Sequence, residues 1–264
     1  MPFNLTAVNP TYNASSKFGQ SLNGGHAYSP TPPLTGYPYT LRATVKAAAS
    51  SAVEVAAGQA GFGWIGKSAS NTVLAHYGFG TDVELAANVN LADGQYHEVE
   101  LCVSATGGSL FVDGVLVASS TTATSPVTNR YFSARAFFNT ANSAAATFPW
   151  TGEIDQVALF NTVQHTSAYT PSTTAMTGSE SDLAALYSFS NNTNDTAGSV
   201  SATPIEIAYN NANIFYSPSN WDDRGTYMSS ANPGAYARVA FSGTSVGVKV
   251  DVAAMVSASL PAAS

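Results

Sequence analysis

The stretch from Asp93 to Val117, DGQYHEVELCVSATGGSLFVDGVLV, constrains the fold more than any other part of the chain. It reads as turns joining consecutive β-strands. Asp93-Gly94 opens it, Gly107-Gly108 reverses the chain, and Asp113-Gly114 reverses it again. Asp-Gly between alternating apolar residues is a strong hairpin signal, because glycine supplies the positive φ that tight β-turns require. His97, Val99, Leu101 and Val103 share one face, while Tyr96, Glu98 and Glu100 share the other. That period of two predicts a half-buried strand.

Strand signals continue along the chain. Residues 40–47 alternate, with Leu41, Ala43 and Val45 on one face and Arg42, Thr44 and Lys46 on the other. Residues 52–57, 62–65, 72–79, 131–138, 154–160 and 183–189 read as further strands. The one helix-tempting run, 47–51, is too short to stand alone. Short strands at this spacing predict an all-β fold, an antiparallel two-sheet sandwich. Residues 191–204 are polar and aperiodic, which places a linker between a unit at 1–190 and a smaller one at 205–264. In the smaller unit, 205–209, 214–216, 235–241 and 245–252 read as strands, and Asp222-Asp223 as a solvated turn. About 60 residues bury a marginal core. This unit is therefore expected to be incomplete, or completed by a partner.

Composition excludes several function classes. Only 9% of the 264 residues are charged, and 16 acidic against 9 basic residues give a net charge of −7. That balance leaves no electrostatic footprint for nucleic acid and no polybasic patch for anionic lipid. No apolar run approaches a membrane span. The first residues, Met-Pro-Phe-Asn-Leu-Thr, lack the features of an ordinary signal peptide, so none is expected. The single cysteine, Cys102, excludes a disulfide framework and reads as a small half-buried hydrophobe.

Two catalytic patterns fail their context test. Residues Gly61 to Ser68 satisfy G-x-x-x-x-G-K-[ST], but a β-rich run follows where a phosphate loop would open a helix. The expected role is a strand ending in a Gly-Lys-Ser turn. Residues Gly243 to Gly247 satisfy G-x-S-x-G but lie between strands, whereas a nucleophile elbow needs a strand-to-helix turn. The four histidines are scattered without metal-ligand spacing. Asp82, Asp93, Asp113 and Asp195 are candidate oxygen ligands for Ca2+. No EF-hand-like spacing supports that, and turn and cap formation is the plainer role. Glu98 and Glu100 share a face but are expected in solvent, so no pair of facing carboxylates for glycoside hydrolysis is expected.

Five segments in order resemble the laminin G-like, concanavalin A-like jelly-roll family. They are Lys17-Phe18-Gly19-Gln20-Ser21-Leu22-Asn23-Gly24-Gly25, Tyr39 to Lys46, Asp93 to Val99, Phe111-Val112-Asp113-Gly114-Val115, and Gly152-Glu153-Ile154-Asp155-Gln156-Val157-Ala158-Leu159-Phe160. The resemblance covers residues 1–190. It implies a jelly roll used mostly for binding glycans or proteins, sometimes with calcium, and it brings no shared catalytic residues. Ile214 to Trp221 and Asn232 to Ser245 resemble the β-domain that precedes SGNH-type carbohydrate esterases. The serine block and the closing Asp-x-x-His of that family are absent.

The expected function is a non-catalytic module for a surface glycan or another receptor. Trp64, Tyr77 and Trp150 are the candidate stacking faces, and His76 and Arg135 the candidate hydroxyl-orienting groups. The expected location is a virion fibre or a cell surface. The alternatives are a virion decoration protein assembled through the C-terminal unit, as a homo-oligomer or with other virion proteins, and the front of a carbohydrate esterase.

Overall fold

The computed structural model describes residues 3–14, 16–29, 31, 33–78, 82–125, 131–136, 148–189 and 196, and four short strands beyond residue 202. The chain divides into two units, residues 1–202 and 203–264. Among the described residues there is no helix.

The first unit is built from thirteen strands. They are β1 (Thr6–Asn13), β2 (Ser21–Ser29), β3 (Tyr39–Lys46), β4 (Glu54–Gln59), β5 (Gly63–Lys67), β6 (Thr72–Tyr77) and β7 (Val83–Asn90). β8 (His97–Ser104), β9 (Gly107–Val112), β10 (Val115–Ser120), β11 (Phe132–Ala134), β12 (Glu153–Phe160) and β13 (Leu183–Tyr187) complete it. The hydrogen-bonded order is β10-β9-β8-β3-β12-β2-β11-β4-β5-β6-β7, with β1 beside β2 and β13 beside β12. All pairs are antiparallel. One ladder contact, Ile154 with Leu22, joins β12 to β2. The sheet folds over there into two layers.

The core lies between these layers. Leu41, Ala43 and Val45 of β3 and Val99, Leu101 and Val103 of β8 meet Ala57, Ile65, Ala75 and Phe132 from the other layer. Ile154 and Val157 of β12 both reach this core although they are three residues apart. The register shift between Ile154 and Gln156 explains it, because an extra residue restores the inward phase.

Three local expectations need correction. The β8–β9 reversal lies at Ala105–Thr106, since Ser104 pairs with Gly107 and both glycines belong to β9. Gly108 serves a close approach instead: a Cβ there would lie 2.7 Å from Cε1 of Tyr77 in the facing layer. Asp113-Gly114 does turn the chain, with φ of 49° and 77°, the left-handed pair of a type I′ turn.

The second correction concerns β8, which is buried on both faces rather than one. Residues 161–182 cross the outer face of β3, β8 and β12. Tyr169 N–H donates to Gly114 O at 2.9 Å, and a Cβ on Gly114 would collide with Tyr169 O. Ala158, Phe160 and Leu186 form a small apolar cluster on this face, with Met176 packed against it.

In the second unit, β14 (Ile214–Tyr216) pairs with β17 (Ala237–Val239), and β15 (Asp222–Asp223) pairs with β16 (Met228–Ser229). Asp222-Asp223 is thus the third correction, a short paired strand in place of a turn. The expected strands at 205–209 and 245–252, and the G-x-S-x-G pattern, lie outside the described residues.

Candidate functional site

The ladder places Trp64 of β5 opposite His76 of β6, and His76 opposite Glu84 of β7. Ile65 and Ala75, one residue along, point into the core. Period two therefore sends Trp64, His76 and Glu84 to the outer face. The indole and imidazole stack with centroids 4.4 Å apart and planes 18° from parallel. Nδ1 of His76 lies 2.9 Å from Asp82 Oδ2, and Nε2 lies 3.4 Å from Glu84 Oε2. Both carboxylates are exposed, at 64% and 61% of their side-chain surface. Trp64 is half-buried. Opposite it on β4 stands Gly58, where a Cβ would collide with the Trp64 side chain. The patch thus combines an indole, an imidazole oriented by two carboxylates, and exposed acceptor oxygens. It can stack on a ring and accept hydrogen bonds from its hydroxyls.

The other three expected site residues lie inside the sandwich. Tyr77 is fully buried, and its hydroxyl donates to Thr122 O at 2.9 Å. Trp150 is 2% exposed and lines the core beside Val45, Ile65, Leu91 and Val99. Arg135 is buried, with its guanidinium donating to the carbonyls of Gly25, Leu22 and Gly152. Burial pushes that guanidinium down to about 10. These three side chains have no free face for a ligand in this arrangement. Asp82 and Glu84, by contrast, were missed as partners of His76. The signal for β7 was present, because Val83, Leu85, Ala87 and Val89 alternate with Glu84, Ala86, Asn88 and Asn90.

Glu98 and Glu100 are buried at 5% and 0% exposure, which corrects the expectation of a solvated pair. Arg42 Nε donates to Glu100 Oε2 at 2.6 Å, His165 Nδ1 lies 2.7 Å from Glu100 Oε1, and Tyr169 donates to Glu98 at 2.7 Å. Burial pulls the Arg42 guanidinium down, but Glu100 and Glu98 outweigh it and hold it above its ordinary value. Burial pushes the Tyr169 hydroxyl far up, and the two glutamates push it further. His165 and Tyr169 stack at 3.5 Å and 7°. Cys102 lies in the same layer at 3% exposure, and burial pushes its thiol up to about 12. At neutral pH it holds its proton and is not a nucleophile.

Three of the four aspartates that are candidate Ca2+ ligands are engaged elsewhere. Asp82 faces His76. Asp113 and Asp93 lie 2.7 Å and 3.1 Å from the His97 ring nitrogens, and they accept the backbone N–H groups of Glu98 and Gln95. Asp195 lies outside the described residues. Among the described residues, no three His, Cys, Asp or Glu side chains group so as to hold a metal. Asp82, Asp93 and Asp113 do not converge on a calcium cage. Lys67, the lysine of the phosphate-loop pattern, is fully buried on β5. It pairs with Glu54 at 3.4 Å and donates to Ser50 Oγ at 2.7 Å. It has no access to a phosphate. No helix among the described residues is long and apolar enough to cross a membrane.

The first unit is thus an antiparallel all-β sandwich with an aromatic patch on one outer face. Residues 21–167, more than half of the chain, match the family described as the concanavalin A-like lectin/glucanases superfamily, and the chain belongs to that family. No curated protein sequence matches it. The solved structures it resembles include a heptameric SAP-like pentraxin from Limulus polyphemus, at 8% identity and TM-score 0.40 over 49% of this chain and 66% of that one. Domain 4 of AbnA, an extracellular arabinanase from Geobacillus stearothermophilus solved with arabinotriose, aligns at 16% identity and TM-score 0.46, covering 58% of this chain and 75% of that one. The CBM40 of a Ruminococcus gnavus sialidase, solved with α2,3-sialyllactose, aligns at 13% identity and TM-score 0.42, covering 50% and 79%. The chain thus spans just under two thirds of the pentraxin's length.

Proposed function

We propose that this chain is a non-catalytic glycan-binding module, and that its ligand stacks on Trp64 beside His76. The observation that carries the reading is the half-buried indole on an outer sheet face, fixed by a stacked imidazole between two exposed carboxylates. A ring ligand needs such a flat apolar surface rimmed by hydrogen-bonding groups. Membership of a lectin and glucanase superfamily is consistent with it. The non-catalytic part rests on Glu98 and Glu100, whose oxygens are held by Arg42, His165 and Tyr169 under a covering segment. A chain so poor in charge and basic groups suits display on a virion fibre or a cell surface, with the second unit as its attachment to the rest of the assembly.

A glycan array with wild type, Trp64→Ala and Trp150→Ala tests the reading. Binding by wild type and by the folded fraction of Trp150→Ala, with loss in Trp64→Ala, is the expected result. A folded wild type that binds no glycan overturns it.

A further inference from the structure

The charges around Trp64 narrow the ligand class, an inference that rests on the glycan-binding reading above. Asp82 and Glu84 flank His76 with most of their surface in solvent, so both oxygens are reachable by a ligand. The basic groups among the described residues are spent elsewhere. Arg42 and Lys67 are largely or wholly buried in internal ion pairs, and buried Arg135 donates to backbone carbonyls. Lys46 pairs with Glu153 at 3.5 Å, and Lys17 lies over the Phe18 ring at 5.2 Å. Among the described residues, no lysine or arginine contacts the Trp64–His76 patch. An anionic sugar would meet two carboxylates and no described counter-charge. A cationic one would meet two carboxylates and the negative face of an indole, which attracts cations.

We infer that the patch selects amino-bearing glycans, those with a free ammonium group on the sugar ring, over N-acetylated and acidic ones. The ring lies against Trp64, and the ammonium pairs with the solvent-facing oxygens of the carboxylates that flank His76. Both carboxylates are exposed, so the selection is modest and screened by salt, with a Debye length of about 8 Å at physiological ionic strength.

Calorimetric titration of the full chain with a glucosamine tetramer and its fully N-acetylated counterpart tests this, because the pair differs in charge while keeping the ring. The free amine is expected to bind about fivefold to tenfold tighter in 0.05 M salt, with the gap shrinking at 0.5 M. The Asp82→Asn, Glu84→Gln double variant is expected to bind both tetramers equally. Trp64→Ala keeps the net charge and is expected to lose both, which separates the site from general attraction between a polycation and an acidic protein. Equal or tighter binding of the N-acetylated tetramer, still lost in Trp64→Ala, overturns the amino-group selection and leaves the glycan-binding reading standing. Amine preference that survives Trp64→Ala places the attraction elsewhere and overturns the inference. No binding of either tetramer also overturns it, and the array then decides the reading beneath it.

Discussion

The two outer faces of the sandwich each hold a histidine stacked on an aromatic ring beside two carboxylates, and they put it to opposite use. On one outer face His165 stacks on Tyr169 next to Glu98 and Glu100. On the other, His76 stacks on Trp64 next to Asp82 and Glu84. The residue types are nearly the same, and the cover differs. Residues 161–182 seal the first cluster and leave Glu100 with no exposed surface, whereas Asp82 and Glu84 stand in solvent. Sealed, every charge needs a partner, and the cluster becomes a structural tie between strands and strap. Open, the carboxylates stay solvated and available to a ligand.

This contrast breaks most sharply at Glu100. Replacing it by alanine leaves the Arg42 guanidinium buried without its main partner. A destabilisation of about 3–5 kcal/mol is expected in urea unfolding, and a loss below about 1 kcal/mol would put the sealed cluster on the same footing as a surface pair. Trp150→Ala opens a cavity in the core and is expected to cost about 3–5 kcal/mol, with ligand affinity of the folded fraction unchanged. Trp64→Ala is the mirror case. It is expected to weaken glycan binding at least tenfold while moving the unfolding midpoint far less than Trp150→Ala does.

The smallest effect belongs to a third histidine, His97. Its hydrogen bond to Asp113, aided by Asp93, holds the imidazole above its ordinary value of 6.5. Burial pushes Asp113 up, but His97 and the Glu98 N–H outweigh it and hold the carboxyl below 3.8. The His97 contribution is fully present below pH 6.5 and fades as pH rises through the higher folded value. The Asp113 contribution is present above pH 3.8 and fades as pH falls through the lower folded value. The pair therefore stabilises mainly between about pH 4 and 6.5. As a surface pair it is worth less than about 1 kcal/mol. His97→Gln is expected to lower stability at pH 5.5 and to be nearly neutral at pH 8.5. A larger cost at pH 8.5 than at pH 5.5 would show that the ring acts through packing alone.

Most of the first unit's strands were legible in the sequence, because period two survives wherever one face meets the core. Leu41, Ala43 and Val45 point inward as their spacing implies, as do Val99, Leu101 and Val103. The outer faces were not legible. Nothing between His97 and Ser104 announces that Tyr169, dozens of residues later, closes over Glu98 and Glu100. Gly107-Gly108 imitates a turn, but Gly108 answers to the Tyr77 ring in the facing layer. The five aromatic and basic site candidates could not be sorted by type alone, since indoles and phenols fill cores as readily as they line ligand faces. Register sorts them. Trp64 and His76 are paired and out of phase with Ile65 and Ala75, a relation that appears only once β5 and β6 are aligned.

The most direct test reads the two indoles side by side. The chain has three tryptophans, so a 1H–15N spectrum holds three indole N–H signals, which Trp64→Ala and Trp150→Ala assign. On titration with a glycan that the array identifies, the Trp64 signal is expected to shift with saturation while the Trp150 signal holds its position. Saturable binding that leaves the Trp64 signal in place, or moves Trp150 instead, would contradict the account.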